Sequence, residues 1–170
     1  IYPGVAPGAS LIGLQVLTAS GSGSGAGLEK ALTWCIENVE EYNISVINMS
    51  LGFGDNSTEP KEWMLTDELA ALNQLGVTVV SASGNSYKEY QTDGVGYPSS
   101  DPGSMSVGAV FHSDVGGKYG ASSSVTDQIA PFSQRDPDQT SIMAPGVLIP
   151  SAWLNDGLKS ISGTSMAAPV

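Results

Sequence analysis

Short apolar runs and helix-spaced apolar residues alternate along the first half of this chain. Leu11-Ile12-Gly13-Leu14-Gln15-Val16-Leu17 is nearly continuous and apolar, as expected for a strand covered on both faces. The Gly/Ser stretch from Ser20 to Gly27 reads as a plain connection or a surface loop. Leu28 to Tyr42 repeats apolar residues at helical spacing, and Ile44 to Asn48 is rich in β-formers. Pro60 to Leu75 is helical again, and Val77-Thr78-Val79-Val80 is another strand. Strand, helix, strand, helix, strand predicts a parallel sheet. Pro60 suits a first helical turn, where its missing N–H loses nothing, and Gly76 suits the position just past a helix end. Beyond Asn85 the runs Met105–Phe111, Ser141–Ala144 and Val147–Trp153 predict further strands between long loops, with a turn at Asp136-Pro137-Asp138. No internal repeat or domain boundary breaks the pattern.

Composition narrows the picture. With 41% apolar and 14% charged residues in 170, the chain can build a sizeable core as one domain. Its 21 glycines against 3 phenylalanines suit an α/β protein with many tight turns. A formal net charge of −11 repels phosphate backbones and anionic lipid, which argues against nucleic-acid and membrane partners. No apolar run approaches the roughly 20 residues needed to span a bilayer, and Ile1-Tyr2-Pro3-Gly4 has neither the basic start nor the apolar stretch of a signal peptide. Cys35 is the sole cysteine. It falls in the pattern Leu28, Leu32, Cys35, Ile36, Val39 and reads as a small buried hydrophobe, with a catalytic thiol as the alternative.

The chemistry-bearing motif is Ser162-Gly163-Thr164-Ser165-Met166-Ala167-Ala168-Pro169. A glycine there permits close approach of backbone and ligand. The small residues after Ser165 let a helix start in a crowded interior, with the Ser165 N–H at its positive end. Asn85 follows a strand and should project from the carboxyl edge of the sheet, the usual side for ligands; a turn-forming asparagine is the alternative. Five ordered segments carry a resemblance: Gly4-Val5-Ala6-Pro7, Val46-Ile47-Asn48-Met49-Ser50-Leu51-Gly52, Ser81-Ala82-Ser83-Gly84-Asn85, Met143-Ala144-Pro145-Gly146, and Ser162 to Pro169. Together they resemble the subtilisin-like serine peptidases, in the order that family shows them. The resemblance implies an α/β three-layer parallel-sheet (subtilisin-like, Rossmann-type) fold, incomplete here, with residues 1–170 forming the carboxyl-side part of the catalytic domain.

It further implies that Ser165 is the nucleophile and that Asn85 donates its side-chain amide to the oxyanion. Ser50, Leu51 and Gly52 would align a polypeptide substrate as an added strand, with Ser83 and Gly84 as the facing wall and Thr164 as a further substrate-binding residue. Met166 reads as packing beside the serine. No cofactor is required. Calcium as a structural ion is compatible with the family, but the acids from Asp93 to Asp101 lack the spacing of a calcium loop and read as solvated surface. A secreted or extracytoplasmic protein is implied as well.

One feature departs from the family pattern. The family's Asp and His-Gly-Thr-His type segments belong ahead of Gly4, and neither stands in this sequence. The sole histidine, His112, follows a strand and reads as surface, and Lys159, the candidate for a serine–lysine dyad, lies in a short polar stretch. Gly163-Thr164-Ser165-Met166-Ala167 also matches the α/β-hydrolase elbow except at its last residue, but that fold needs its acid and histidine after the serine. The expected reading is a serine endopeptidase fragment whose Asp and His come from outside this chain, nearly inactive in isolation. The alternative is a non-catalytic peptide-binding or assembly module. A helix begun at Ser165 with only a turn of chain after it should need cover from the missing amino-terminal part or another chain.

Overall fold

A computed structural model describes residues 4–170; residues 1–3, part of the start read for targeting signals, lie outside the described residues. Helix α1 spans Gly25–Tyr42. It begins three residues before the first helix-spaced leucine, because the Ser24 side chain accepts the Gly27 N–H at 3.1 Å and so caps the first turn. Gly25 to Gly27 of the Gly/Ser stretch therefore belong to the helix. It ends at Asn43, whose left-handed φ of 50° sends its N–H back to the Val39 carbonyl. Leu28, Leu32 and Cys35 are its buried stripe.

Strands β1 (Val46–Met49), β2 (Thr78–Ala82), β3 (Met105–Val110) and β4 (Ile142–Pro145) form one sheet in the order β1-β2-β3-β4. Every pair is parallel, with Val46 opposite Thr78, Val80 opposite Met105 and Val107 opposite Ile142. The neighbouring residues Val79 and Val80 of β2 enter different apolar clusters, so the two clusters lie on opposite faces of the sheet. Helices α1 and α2 (Thr66–Gln74) close one face with Leu69, Leu72, Val77, Val79 and Tyr97. On the other, the short α4 (Thr164–Ala167) packs Ala167 against Val107, Ala109 and Phe111. The result is the expected layered α/β arrangement. No helix among the described residues is long and apolar enough to cross a membrane.

Several expectations are corrected. Leu11–Leu17 forms no strand: Leu11 is 93% exposed, and only Leu17 makes an isolated bridge, to Gly23. A strand covered on both faces needs neighbours, and among the described residues β1 pairs with β2 alone. Helix α2 starts at Thr66, so Pro60 lies in a loop and not in a first turn. What holds that loop out of the helix is tertiary: Phe53, Trp63 and Tyr97 rings pack within 5.2–5.8 Å of each other, and Lys61 pairs with Asp55 at 2.6 Å. Gly76, with φ +78°, follows the helix as expected. The run Val147–Trp153 yields β5 (Ile149–Trp153), which leaves the main sheet and pairs antiparallel with an unexpected β6 (Gly157–Ile161). A single turn, α3 (Tyr87–Tyr90), also went unread.

Candidate active site

Because the four strands run parallel, their carboxyl ends share one edge, and the segments that leave β1 and β2 there meet the turn into α4. That turn is narrow. A Cβ on Gly146 would lie 2.6 Å from the Ala109 Cβ and 2.8 Å from the Gly163 carbonyl, so glycine is what lets the two strands of chain approach. Gly163 donates its N–H to the Gly146 carbonyl at 2.9 Å, and Met166 donates to the Gly163 carbonyl at 3.0 Å. With α4 only four residues long, its macrodipole is small. Individual donors carry the local polarity instead.

Thr164 is fully buried and ties this turn to β2's exit. The Asn85 side-chain oxygen accepts from the Thr164 N–H at 2.8 Å and from Thr164 Oγ1 at 3.1 Å, while Thr164 Oγ1 accepts the Gly84 N–H at 3.1 Å. Asn85 is thereby fixed through its oxygen, and its Nδ2 has no acceptor among the described residues. The Ser165 N–H has none either. Two donors are thus left unpaired, one on half-buried Ser165 itself and one on the exposed Asn85 side chain that is bonded to its neighbour Thr164.

That hydroxyl is engaged on its other side. Ser165 Oγ donates to the Ser50 carbonyl at 3.1 Å, and Ser50 Oγ donates to the Ser165 carbonyl at 2.7 Å. Asn48 Nδ2 donates to Ser50 Oγ at 3.0 Å. After Ser50, the backbone amides and carbonyls of Leu51 and Gly52 make no hydrogen bond among the described residues, until Phe53 donates to the Tyr97 carbonyl at 3.0 Å. Gly52 is exposed. On the facing side, Ser83 is buried with its hydroxyl donated to the Gln134 carbonyl at 2.6 Å, so Gly84 alone brings accessible backbone there. Gly84 has φ +112°, and a Cβ on it would run into the Gln134 side chain. Thr164 is likewise buried support and offers no surface.

The other candidates lie apart. His112 is exposed beyond β3 and makes no hydrogen bond to Ser165. Lys159 sits on β6 with its ammonium 4.2 Å over the Trp153 ring. Cys35 is buried in α1, and burial pushes its thiol pKa up, which disfavours a reactive thiolate. Met166 is half-buried. Asp101 is no solvated acid: it is buried, accepting from Thr66 Oγ1 at 2.6 Å and the Gly103 N–H at 2.8 Å. No group of three or more metal-ligating side chains is present among the described residues.

Two residues went unread in the sequence. Gln134 donates through Nε2 to the Asp55 carbonyl and to Asn56 Oδ1, and its N–H reaches the Gly84 carbonyl at 2.9 Å, linking both walls. Asp55 accepts from the Tyr97 N–H at 2.8 Å and from Lys61. Burial pushes its pKa up, but Lys61 and the Tyr97 N–H outweigh this and hold it below the usual carboxylate value. Gln134 has no sequence signal, since its partners are distant in the chain, whereas Asp55 joins a near partner, Lys61, to a distant one, Tyr97.

The Subtilase family model matches residues 2–170. Over 166 residues the chain is 35% identical to Subtilisin E of Bacillus subtilis (strain 168), and over 168 residues 38% identical to the Thermostable alkaline protease of Halalkalibacterium halodurans. Each alignment covers 98% of this chain and 38% of the relative. Among solved structures, a cold adapted subtilisin-like serine proteinase aligns with TM-score 0.70 and 32% identity over 91% of this chain and 48% of its own. A psychrophilic protease aligns with TM-score 0.74 and 30% identity over 98% and 53%.

Proposed function

Because the chain belongs to the subtilase family, we propose that residues 1–170 are the carboxyl-side part of a serine endopeptidase domain that hydrolyses peptide bonds. Ser165 Oγ attacks the scissile carbonyl carbon, and its proton passes to a histidine contributed by residues outside this sequence, which an outside Asp orients. The Ser165 N–H and Asn85 Nδ2 stabilise the oxyanion of the tetrahedral intermediate, and no cofactor is called for. Ser50, Leu51 and Gly52 align the polypeptide as an added strand, Gly84 faces them, and Ser83 and Thr164 support that side from within. The parent protein acts outside the cytoplasm.

The observation that carries this reading is the pair of unpaired donors beside Ser165, fixed by Thr164 through the opposite end of the Asn85 amide. Ser165 is half-buried and Asn85 is exposed but held by its oxygen, so both donors are oriented and available to an oxyanion. Without its base the site retains only the roughly 10³–10⁴-fold acceleration over water that binding and the oxyanion donors supply.

A fluorophosphonate probe tests it. Ser165 should label when the chain is supplied with the Asp- and His-bearing segment of its domain, hardly at all alone, and never in Ser165→Ala. In the completed enzyme, Asn85→Ala should lower kcat by about 10²–10³ with little change in KM, a magnitude known from a member of this family. The non-catalytic alternative draws on Ser165 Oγ being held by a carbonyl instead of a base. Peptide binding without labelling in any combination would establish it and sink the endopeptidase reading.

A further inference from the structure

Resting on the reading of Asn85 as the oxyanion donor, we propose that Gln134, in the loop between β3 and β4, is a positioning residue that aims the Asn85 amide. Asn85 follows Gly84, whose φ of +112° is open to glycine and few other residues, so this turn takes its orientation from contacts outside itself. Thr164 holds the oxygen end of the Asn85 side chain. Gln134 holds the backbone on either side. Its carbonyl accepts from Ser83 Oγ at 2.6 Å, its N–H donates to the Gly84 carbonyl at 2.9 Å, and its Oε1 accepts the Ser86 N–H at 3.4 Å. One residue thus grips 83, 84 and 86, and exposed Asn85 stands between them.

The grip is anchored at its far end. Gln134 Nε2 donates to the Asp55 carbonyl at 2.9 Å and to Asn56 Oδ1 at 2.8 Å, which uses both of its hydrogens. Asn56 Nδ2 in turn donates to the Asp93 carbonyl at 3.2 Å. Gln134 is 2% exposed, so this amide cannot swing away without leaving buried polar groups unpaired. It also lies flush against Gly84, where an added Cβ would strike Oε1. The main-chain bonds do not depend on the side chain. Together with the Tyr87 N–H to the Phe132 carbonyl at 3.1 Å and the Arg135 guanidinium 3.2 Å over the Tyr87 ring, they keep the two segments joined whatever residue stands at 134. What the Gln134 amide adds is the aim of residues 84–86 relative to Asp55 and Asn56.

The test is a double-mutant cycle in the full-length enzyme that carries this chain with its Asp- and His-bearing segment. Gln134→Met keeps the bulk beside Gly84 and removes both polar ends. It should lower kcat about tenfold, part of the roughly 10²–10³ that losing the donor itself costs, with little change in KM. In an Asn85→Ala background the same substitution should change kcat by less than about twofold, because the group it aims is already gone. Gln134→Ala should show the same coupling and carries the comparison if the methionine variant does not fold. An equal loss in both backgrounds would mean a general structural role, and parent-like kcat for Gln134→Met would mean that filling space suffices; either overturns the proposal and leaves Asn85 as the donor. An Asn85→Ala enzyme with unchanged kcat would instead overturn the oxyanion reading, and this proposal with it.

Discussion

Replacing Thr164 by valine isolates the hydroxyl that joins the nucleophile turn to the exit of β2. The side chain is fully buried, and valine keeps nearly the same shape, so the substitution opens no cavity. Among the described residues it removes the only acceptor of the Gly84 N–H, at 3.1 Å, and one of the two donors to Asn85 Oδ1, also at 3.1 Å. A buried donor left without a partner costs roughly 1–3 kcal/mol. Asn85 Oδ1 keeps the Thr164 N–H at 2.8 Å, so its loss is the smaller part. The extra buried methyl returns somewhat under ~1 kcal/mol. The net expectation is a destabilisation of about 2 kcal/mol, or roughly 4–8 °C in Tm for a chain of this size.

Urea denaturation should show this as a lower midpoint with unchanged slope. Thr164→Ser is the control: it keeps the hydroxyl, loses the methyl, and should cost only about 1 kcal/mol. Gly84 should also lose amide-exchange protection in the valine variant and keep it in the serine one. If valine proved as stable as the parent, or serine costlier than valine, packing and not hydrogen bonding would be holding this turn.

Tyr97→Phe should cost roughly 1–3 kcal/mol, because the Tyr97 hydroxyl accepts the buried Leu65 N–H at 2.8 Å at the entry to α2; an unchanged urea midpoint would show that this bond does not set the helix start. The depressed folded pKa of Asp55 means that its pairing contributes stability above the unfolded carboxylate value, near pH 4, and loses it as pH falls through the lower folded value. Lys61→Met should flatten that acid-side decline in urea midpoints, and an unaltered decline would assign it to other carboxylates. Cys35, buried with its thiol pKa raised, should resist alkylation until denaturant unfolds α1; rapid labelling of native protein would contradict the packing of that helix.

The parts of the fold legible in sequence are those whose signals are local. Leu28, Leu32 and Cys35 at helical spacing mark α1, and Gly76 marks the end of α2 because a positive φ there favours glycine. The start of α2 was misread because Pro60 is a good helix opener by itself. What holds it in a loop is the ring of Tyr97, far along the chain, and the Lys61–Asp55 pair six residues apart, neither of which shows in a helical pattern. Leu11–Leu17 shows the converse: an apolar run forms a strand only if something pairs with it. At the site, motifs pointed to Ser165 and Asn85, but the bonds that position them join residues 115 and 79 apart in the chain. Gln134 spans 79 residues to reach the Asp55 carbonyl and gave no sign of itself.

The turn around Ser165 is therefore over-determined in its backbone and under-determined at its reactive atoms. Thr164, Gly146 and the Ser50 hydroxyl fix where the chain runs, through hydrogen bonds at 2.7–3.1 Å and a glycine contact that admits no side chain. Against that rigid frame, the N–H of half-buried Ser165 and the amide nitrogen of exposed Asn85 have no acceptor among the described residues. Asp101, which is buried, is by contrast closed by Thr66 and Gly103. Such local departures from consistency are expected where a site must receive something from outside. Here the open donors are the Ser165 N–H and the amide of Asn85, which is bonded to the adjacent Thr164, and a peptide carbonyl oxygen is an acceptor of the kind both lack.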